Sequence, residues 1–148
     1  MSNNLLLEKQ LCFRIYSLNK LMCRLYAPIL KDLALTYPQY LAMLVLWQHK
    51  EGISVKALGS QLDLDSGTLS PLLKRMETQA LLSRIRQSKD ERVVIIKLTA
   101  KGIALQQDAE HIPEKMFGVT GLTPEKLKSL TLDLDQLIDK MSNQRVDR

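Results

Sequence analysis

The hydrophobic period changes between Ser54 and Thr99, and that change limits the fold more than any other feature. Ser54 can cap a short helix over Val55–Gln61, with Ala57, Leu58 and Leu62 on its apolar side. A second helix is expected from Asp65-Ser66 to about Gln79, burying Leu69, Leu72, Leu73 and Met76. The pattern then turns to LLSRIRQ and VVIIKLT, two β-rich runs joined by the polar segment SKDER. Two short helices separated by about four residues read as a helix-turn-helix. With a hairpin directly behind them they read as a winged helix, whose second helix is built to enter a DNA major groove while the wing reaches the adjacent minor groove. The expected class is mainly α with a small β-hairpin wing, and the DNA-binding lobe is expected over about 53–99.

Long amphipathic helices flank that lobe. Leu7, Leu11, Ile15, Leu18, Met22 and Leu25 step by three and four, a helical stripe that Pro28 should end near Tyr26 or Ala27. Thr36-Tyr37-Pro38 reads as a helix start, with the helix running to about Lys50 and Gly52 stopping it. Thr99 should restart a helix through about Phe117, kinked at Pro113. A last helix opens at Thr123-Pro124-Glu125 and carries Leu127, Leu130, Leu134, Leu137 and Met141 as a heptad-type seam. The tail, SNQRVDR, looks frayed. The chain has 148 residues, 45% of them hydrophobic and 25% charged, so one ordinary globular domain over 1–148 is expected. Its longest apolar run, Leu41–Trp47, is far short of the ~20 residues that span a bilayer. MSNNLLLEKQ lacks a positive n-region and a small-residue cleavage site. The expectation is a cytoplasmic protein without membrane contact.

The candidate DNA-reading helix offers Ser66, Thr68 and Ser70 as short hydroxyls, then Lys74 and Arg75 for phosphate or guanine. In the wing, Arg84 and Arg86 alternate onto one strand face, and Lys89 and Arg92 bracket the tip. A net charge of +5 is modest, so this local cluster matters more than the sum. Asp65 and Asp90 would repel phosphate and need other work: an N-cap at 65, and at 90 a bond that orients Arg92. His49 and His111 have no ligand-type spacing around them, and no phosphate loop or catalytic triad order is present, so neither metal nor cofactor is expected. Met22, Met43, Met76 and Met116 read as core. The two cysteines, Cys12 and Cys23, cannot make a zinc set or a disulfide framework. On one helix they stand about 16 Å apart, too far to bridge within a chain.

The stretches LCFRIY at 11–16, LTYPQYLAMLVLW at 35–47, LDLDSGTLSPLLKRME at 62–77 and KDERVVIIKLTAKG at 89–102 resemble the MarR family of winged-helix regulators. Within it they are most similar to the organic-hydroperoxide-sensing OhrR branch. The resemblance implies an intertwined homodimer through N- and C-terminal helices, here about 5–27 and 100–142, bound to a pseudo-palindromic operator. It also implies that Cys12 is the redox-sensing thiol, with Tyr26 and Tyr37 as phenol donors. Tyr16 lies one turn beyond Cys12 and can share its face. Tyr26 is about 21 Å up a straight helix from Cys12, so it can meet only the partner chain's thiol. Branch members with an intersubunit disulfide carry their second cysteine much further along, so this chain resembles the one-cysteine type, in which a low-molecular-weight thiol captures oxidised Cys12. Cys23 reads as a packed core residue, with a resolving role across the dimer as the alternative.

The function so implied is a repressor that leaves its operator when an organic hydroperoxide oxidises Cys12. Two other readings stand beside it: a MarR-type regulator controlled by a small phenolic ligand with Cys12 incidental, and a thiol-dependent peroxidase. The peroxidase would need a resolving cysteine or reductant site and would leave a DNA-reading module unexplained.

Overall fold

The computed structural model describes residues 3–144. The chain divides into two compact units, Met1–Ile112 and Pro113–Arg148. In the first, α1 (Leu11–Leu30) leads through a short 3-10 turn (Lys31–Leu33) into α2 (Tyr37–Gln48). The strand β1 (Ile53–Ser54), the helices α3 (Val55–Leu62) and α4 (Ser66–Thr78), the strands β2 (Leu82–Arg86) and β3 (Val94–Leu98), and the helix α5 (Ala100–Ala109) follow. The helix α6 (Ile112–Thr120) spans the division between the units, and α7 (Pro124–Ser142) lies in the second.

The central pattern is as the sequence implies. Ser54 caps α3 by accepting from the Ala57 N–H, and Asp65 caps α4 by accepting from the Thr68 N–H at 2.8 Å. Between them Asp63 turns the chain in the left-handed region (φ 53°). The Leu64 N–H donates to the Gly59 carbonyl at 2.9 Å, closing the two helices against each other. A side chain at Gly59 would press on the Leu64 carbonyl, so the glycine permits that approach. Leu58, Leu69, Leu73 and Met76 are all at or below 1% exposure, and they join Met43 and Leu46 of α2 in one core. The hairpin pairs Arg84 with Ile96 and Arg86 with Val94. The sheet has a third strand that the sequence reading lacked: β1 pairs antiparallel with β3 through Ile53 and Ile96.

Several helix boundaries differ from expectation. The first helix starts at Leu11 rather than near Leu5, because the Gln10 side chain donates to the Asn4 and Leu6 carbonyls and holds two 3-10 turns there. It also runs past Pro28 to Leu30. Pro28 and Arg24, whose carbonyl loses the helix bond, are exposed, so water can serve that carbonyl, while fully buried Leu30 anchors the last turn. The helix expected over 100–117 is two helices broken at Glu110-His111, with Pro113 in the first turn of α6 instead of at a kink. Further, α2 ends at Gln48, with Gly52 (φ 110°) serving the turn into β1. In the second unit Thr123 caps α7, accepting from the Lys126 N–H. The heptad leucines fall on that helix, and Leu127, Leu130, Leu134 and Met141 are exposed in the single chain. The end of the expected frayed tail, 145–148, lies outside the described residues.

Where the wing returns to the helices, four hydrogen bonds converge on one backbone crossing. The Thr99 N–H donates to the Leu81 carbonyl, and the Thr99 hydroxyl donates to Ala80 and accepts from the Gly102 N–H. The buried Trp47 indole donates to the Gly102 carbonyl at 2.9 Å. A Cβ at Gly102 would lie well inside the Leu81 carbonyl oxygen. Gly102→Ala should therefore lower stability by about 1–3 kcal/mol, read as a lower urea midpoint at unchanged slope. An unchanged midpoint would contradict this packing.

Candidate functional site

Two sets of residues with chemical potential occupy the first unit. One is the surface shared by α4 and the wing. Ser66, Thr68 and Ser70 are exposed on the first turns of α4, and Lys74 and Arg75 follow on its exposed side. Ser66, Ser70, Arg84 and Arg92 line one cleft between α3, α4 and the hairpin, together with Lys56 of α3, a cation the sequence reading passed over. Thr68 is exposed but does not line this cleft, and Arg75 faces a separate groove with Lys31.

Both aspartates hold backbone. The Asp65 carboxylate caps α4, and its bonds to Thr68 keep it below the usual carboxylate range. The Asp90 carboxylate accepts from the Arg92 N–H at 3.0 Å and so orients the residue at the wing tip. Arg86 donates to the Glu91 carbonyl, which braces the same tip. Lys89 is exposed beside it. Arg84 is held differently from a free DNA-facing cation. Its guanidinium makes a two-pronged bond to Glu77 of α4, at 3.1 and 3.2 Å, so wing and reading helix are clamped together. That bond lowers the Glu77 pKa and raises that of Arg84. Glu77 carried no sequence signal of its own, since its partner is seven residues on in a different element.

The second set is aromatic. Tyr26 of α1 stacks on Tyr37 at the start of α2 with ring centroids 4.3 Å apart, and Tyr40 tilts against Tyr26 at 5.7 Å. Tyr40, almost fully buried, was not singled out in the sequence, although its spacing of three from Tyr37 puts both on one helix face. Burial, then the neighbouring phenols Tyr37 and Tyr40, push Tyr26 up to about 12. Burial also raises Tyr37, with a smaller contribution from the Cys23 thiol, and burial followed by Tyr37 raises Tyr40. All three phenols are thus held as neutral O–H groups, able to donate.

The structure brings Tyr26, Tyr37 and Cys23 into one neighbourhood and leaves Cys12 and Tyr16 apart from it. Cys12 and Tyr16 lie in the first turns of α1, exposed, with the Lys20 ammonium 5.2 Å from the Tyr16 ring centre. Tyr26 stands fourteen residues further along the same helix, about 21 Å away. Cys23 is exposed in the single chain and is not the packed core residue expected from the sequence. Its place on the solvent side of α1 is the reason.

With this geometry in place, comparison with known proteins is decisive for the family. Residues 24–109 match the family described as "Transcriptional regulator SarA/Rot". The organic hydroperoxide resistance transcriptional regulator of Bacillus subtilis is 47% identical over 135 residues, covering 91% of each chain. The chain belongs to the MarR/SarA family of winged-helix transcriptional regulators. The structure of reduced AbfR bound to DNA superposes with a TM-score of 0.74 at 32% identity, covering 93% of this chain and 96% of that one. Overoxidised AbfR bound to DNA gives 0.71 at 34% identity, over 91% and 94%. The protein is therefore a DNA-binding transcriptional regulator and not an enzyme. Among the described residues no helix is long and apolar enough to cross a membrane.

The raised phenol of this regulator has a pH signature. Tyr26 ionises near 10.0 when unfolded and near 12 when folded, so its contribution is full below about pH 10 and is lost as pH rises through about 12. Urea unfolding followed from about pH 9 upward should show stability falling above pH 10, and Tyr26→Phe should make that fall shallower. An identical alkaline profile for the variant would contradict the burial of this phenol.

Proposed function

We propose that the regulator is a homodimeric repressor that senses organic hydroperoxides through Cys12 and then releases a pseudo-palindromic operator. The observation that carries this reading is the separation along α1. The neutral phenols Tyr26 and Tyr37 are suited to stabilise a thiolate, yet Cys12 of the same chain lies about 21 Å away. A second copy crossing at α1 brings its own Cys12 to them, and Tyr16 accompanies that thiol one turn away. The same association covers the exposed apolar residues of α1, among them Leu11, Ile15, Leu18 and Leu25, and those of α7. The name of the Bacillus subtilis relative supports the class of oxidant.

The chemistry follows from the donors. The Cys12 thiolate attacks the terminal peroxide oxygen; the S–O bond forms, the O–O bond breaks, the hydroxyl stays on sulfur as a sulfenic acid, and the alkoxide leaves as the alcohol after taking a proton from solvent. The sulfenic acid then condenses with a low-molecular-weight thiol, giving a mixed disulfide and water. AbfR is found on DNA in its overoxidised form, so in that protein overoxidation is compatible with DNA binding. In this regulator, the bulk of the mixed disulfide is what disrupts the tyrosines and spreads the two reading helices. Cys23, near Tyr37, is not the second reactant in this scheme.

On DNA, Ser66, Thr68 and Ser70 meet the major groove, Lys74 and Arg75 meet phosphate, and Arg92 enters the minor groove from a tip fixed by Asp90. Lys89 and Arg86 add positive charge to that wing, and Arg84 holds it against α4. Replacing Arg92 by alanine should weaken operator binding by about 1–3 kcal/mol. An Arg92→Ala protein with unchanged affinity and salt dependence would remove the wing from the interface. For the redox step, cumene hydroperoxide with a small thiol should release the wild-type protein from DNA, the peroxide alone should release it incompletely at matched reversible oxidation, and Cys12→Ser should stay bound. Release of Cys12→Ser by the peroxide would favour control by a bound ligand. Loss of the response in Cys23→Ser would move the second step onto Cys23.

A further inference from the structure

The reading helix ends against the helix that carries Tyr37, and the contact between them is a chain of side-chain amides. Thr36 and Gln39 form a capping box at the start of α2: the Gln39 N–H donates to the Thr36 hydroxyl, and the Gln39 carboxamide oxygen accepts from the Thr36 N–H at 3.0 Å. The other end of the same carboxamide donates to the Gln79 side-chain oxygen at 3.2 Å. Gln79 is the C-cap of α4, and its own NH2 group donates to the Ala34 carbonyl at 2.9 Å. The Lys101 ammonium closes the cluster on the Gln79 carbonyl at 2.8 Å, where a cation suits the end of a helix.

We propose that Gln39 and Gln79 are positioning residues that tie the orientation of the reading helix to the Tyr26–Tyr37 stack. Gln39 is the one polar side chain among the buried residues described, at 6% exposure, and both ends of its carboxamide are engaged. It lies two residues beyond Tyr37, in the same first turn of α2. A shift of the stacked rings therefore displaces the capping box, and a buried amide that loses its partner is costly, so Gln79 follows. The backbone on both sides is committed to this geometry. Ala34, which accepts from Gln79, has φ 53°, and Ala80, which follows Gln79, has φ 59°, a region that L-residues other than glycine seldom adopt. The link spans forty residues of sequence and joins the two elements whose relative placement decides how far apart the two reading helices of a dimer stand.

The proposal rests on the redox reading only for what moves the rings, and its test separates the two. In the reduced protein, operator affinity is measured in a double-mutant cycle between Tyr26→Ala, which removes the stack, and Gln79→Met, which keeps shape without hydrogen bonds. Tyr26→Ala is expected to lower affinity about tenfold beside Gln79 but less than about threefold beside Gln79→Met. Equal losses in the two backgrounds overturn the proposal. If Gln79→Met does not fold, Gln79→Glu replaces it: the acceptor for Gln39 is kept, the donor to Ala34 is lost, and an intermediate coupling is expected, full coupling overturning the proposal. After peroxide and thiol, the Gln79 variant should lose its Cys12 thiol at the wild-type rate, a readout that loss of stability alone would not preserve together with reduced operator release. A wild-type protein that keeps its operator after oxidation defeats the redox reading, and the cycle in the reduced protein still decides the proposal.

Discussion

A twenty-residue helix is about 30 Å long, and that length keeps Cys12 apart from Tyr26 within one chain. Helical backbone does not fold back on itself, so Cys12 cannot be brought to Tyr26 by any local motion. Every part of the proposed sensing scheme follows from this separation. The phenols are built on the end of α1 that is anchored in the core through Leu30 and stacked on α2. The thiol is built on the exposed end. In the proposed sensor a single chain thus carries two halves of different sites, and a second copy is what would complete either one.

In the proposed sensor, what the phenol end is anchored to determines what oxidation can accomplish. Tyr37 begins α2, α2 packs on α4 in the same core, and the Gln39–Gln79 bond fixes the N-terminus of one against the C-terminus of the other. At the wing side, Glu77 and Arg84 join α4 to β2. The reading helix is therefore held by polar contacts at one end and along one side, with Leu69, Leu73 and Met76 filling the space beneath. A packed assembly of this kind shifts as a body, which suits the proposed output, a change in the spacing between two helices on DNA.

Much of this was legible in the sequence because the signals are local. Ser54, Asp65, Thr99 and Thr123 each announce a helix start, and each accepts a backbone N–H three residues on. The core face of α4 and the hairpin follow from period alone. What was not legible depends on distant partners or on local competition. The two-residue β1 exists only because β3 pairs with it. The start of α1 is displaced by the Gln10 side chain, and its passage through Pro28 depends on which side of the helix meets water. Gln39, Gln79, Glu77 and Tyr40 are common residue types, and their roles arise from neighbours in other elements. Cys12, Tyr26 and Tyr37 were singled out by resemblance, and the single chain adds what resemblance lacked: Tyr26 and Tyr37 are stacked, and Cys23 lies near Tyr37.

The most direct test of a sensor shared between chains is complementation in a mixed dimer. One chain carries Cys12→Ser with its tyrosines intact, and the other carries Tyr26→Phe and Tyr37→Phe with Cys12 intact. Each parent homodimer lacks a complete site, while the mixed dimer has one intact thiol facing one intact phenol pair across the interface. The rate of Cys12 oxidation by limiting cumene hydroperoxide, followed by intact-protein mass spectrometry, should return to the wild-type value in the mixed dimer. A mixed dimer whose thiol reacts as slowly as that of the tyrosine-variant homodimer would contradict the shared site.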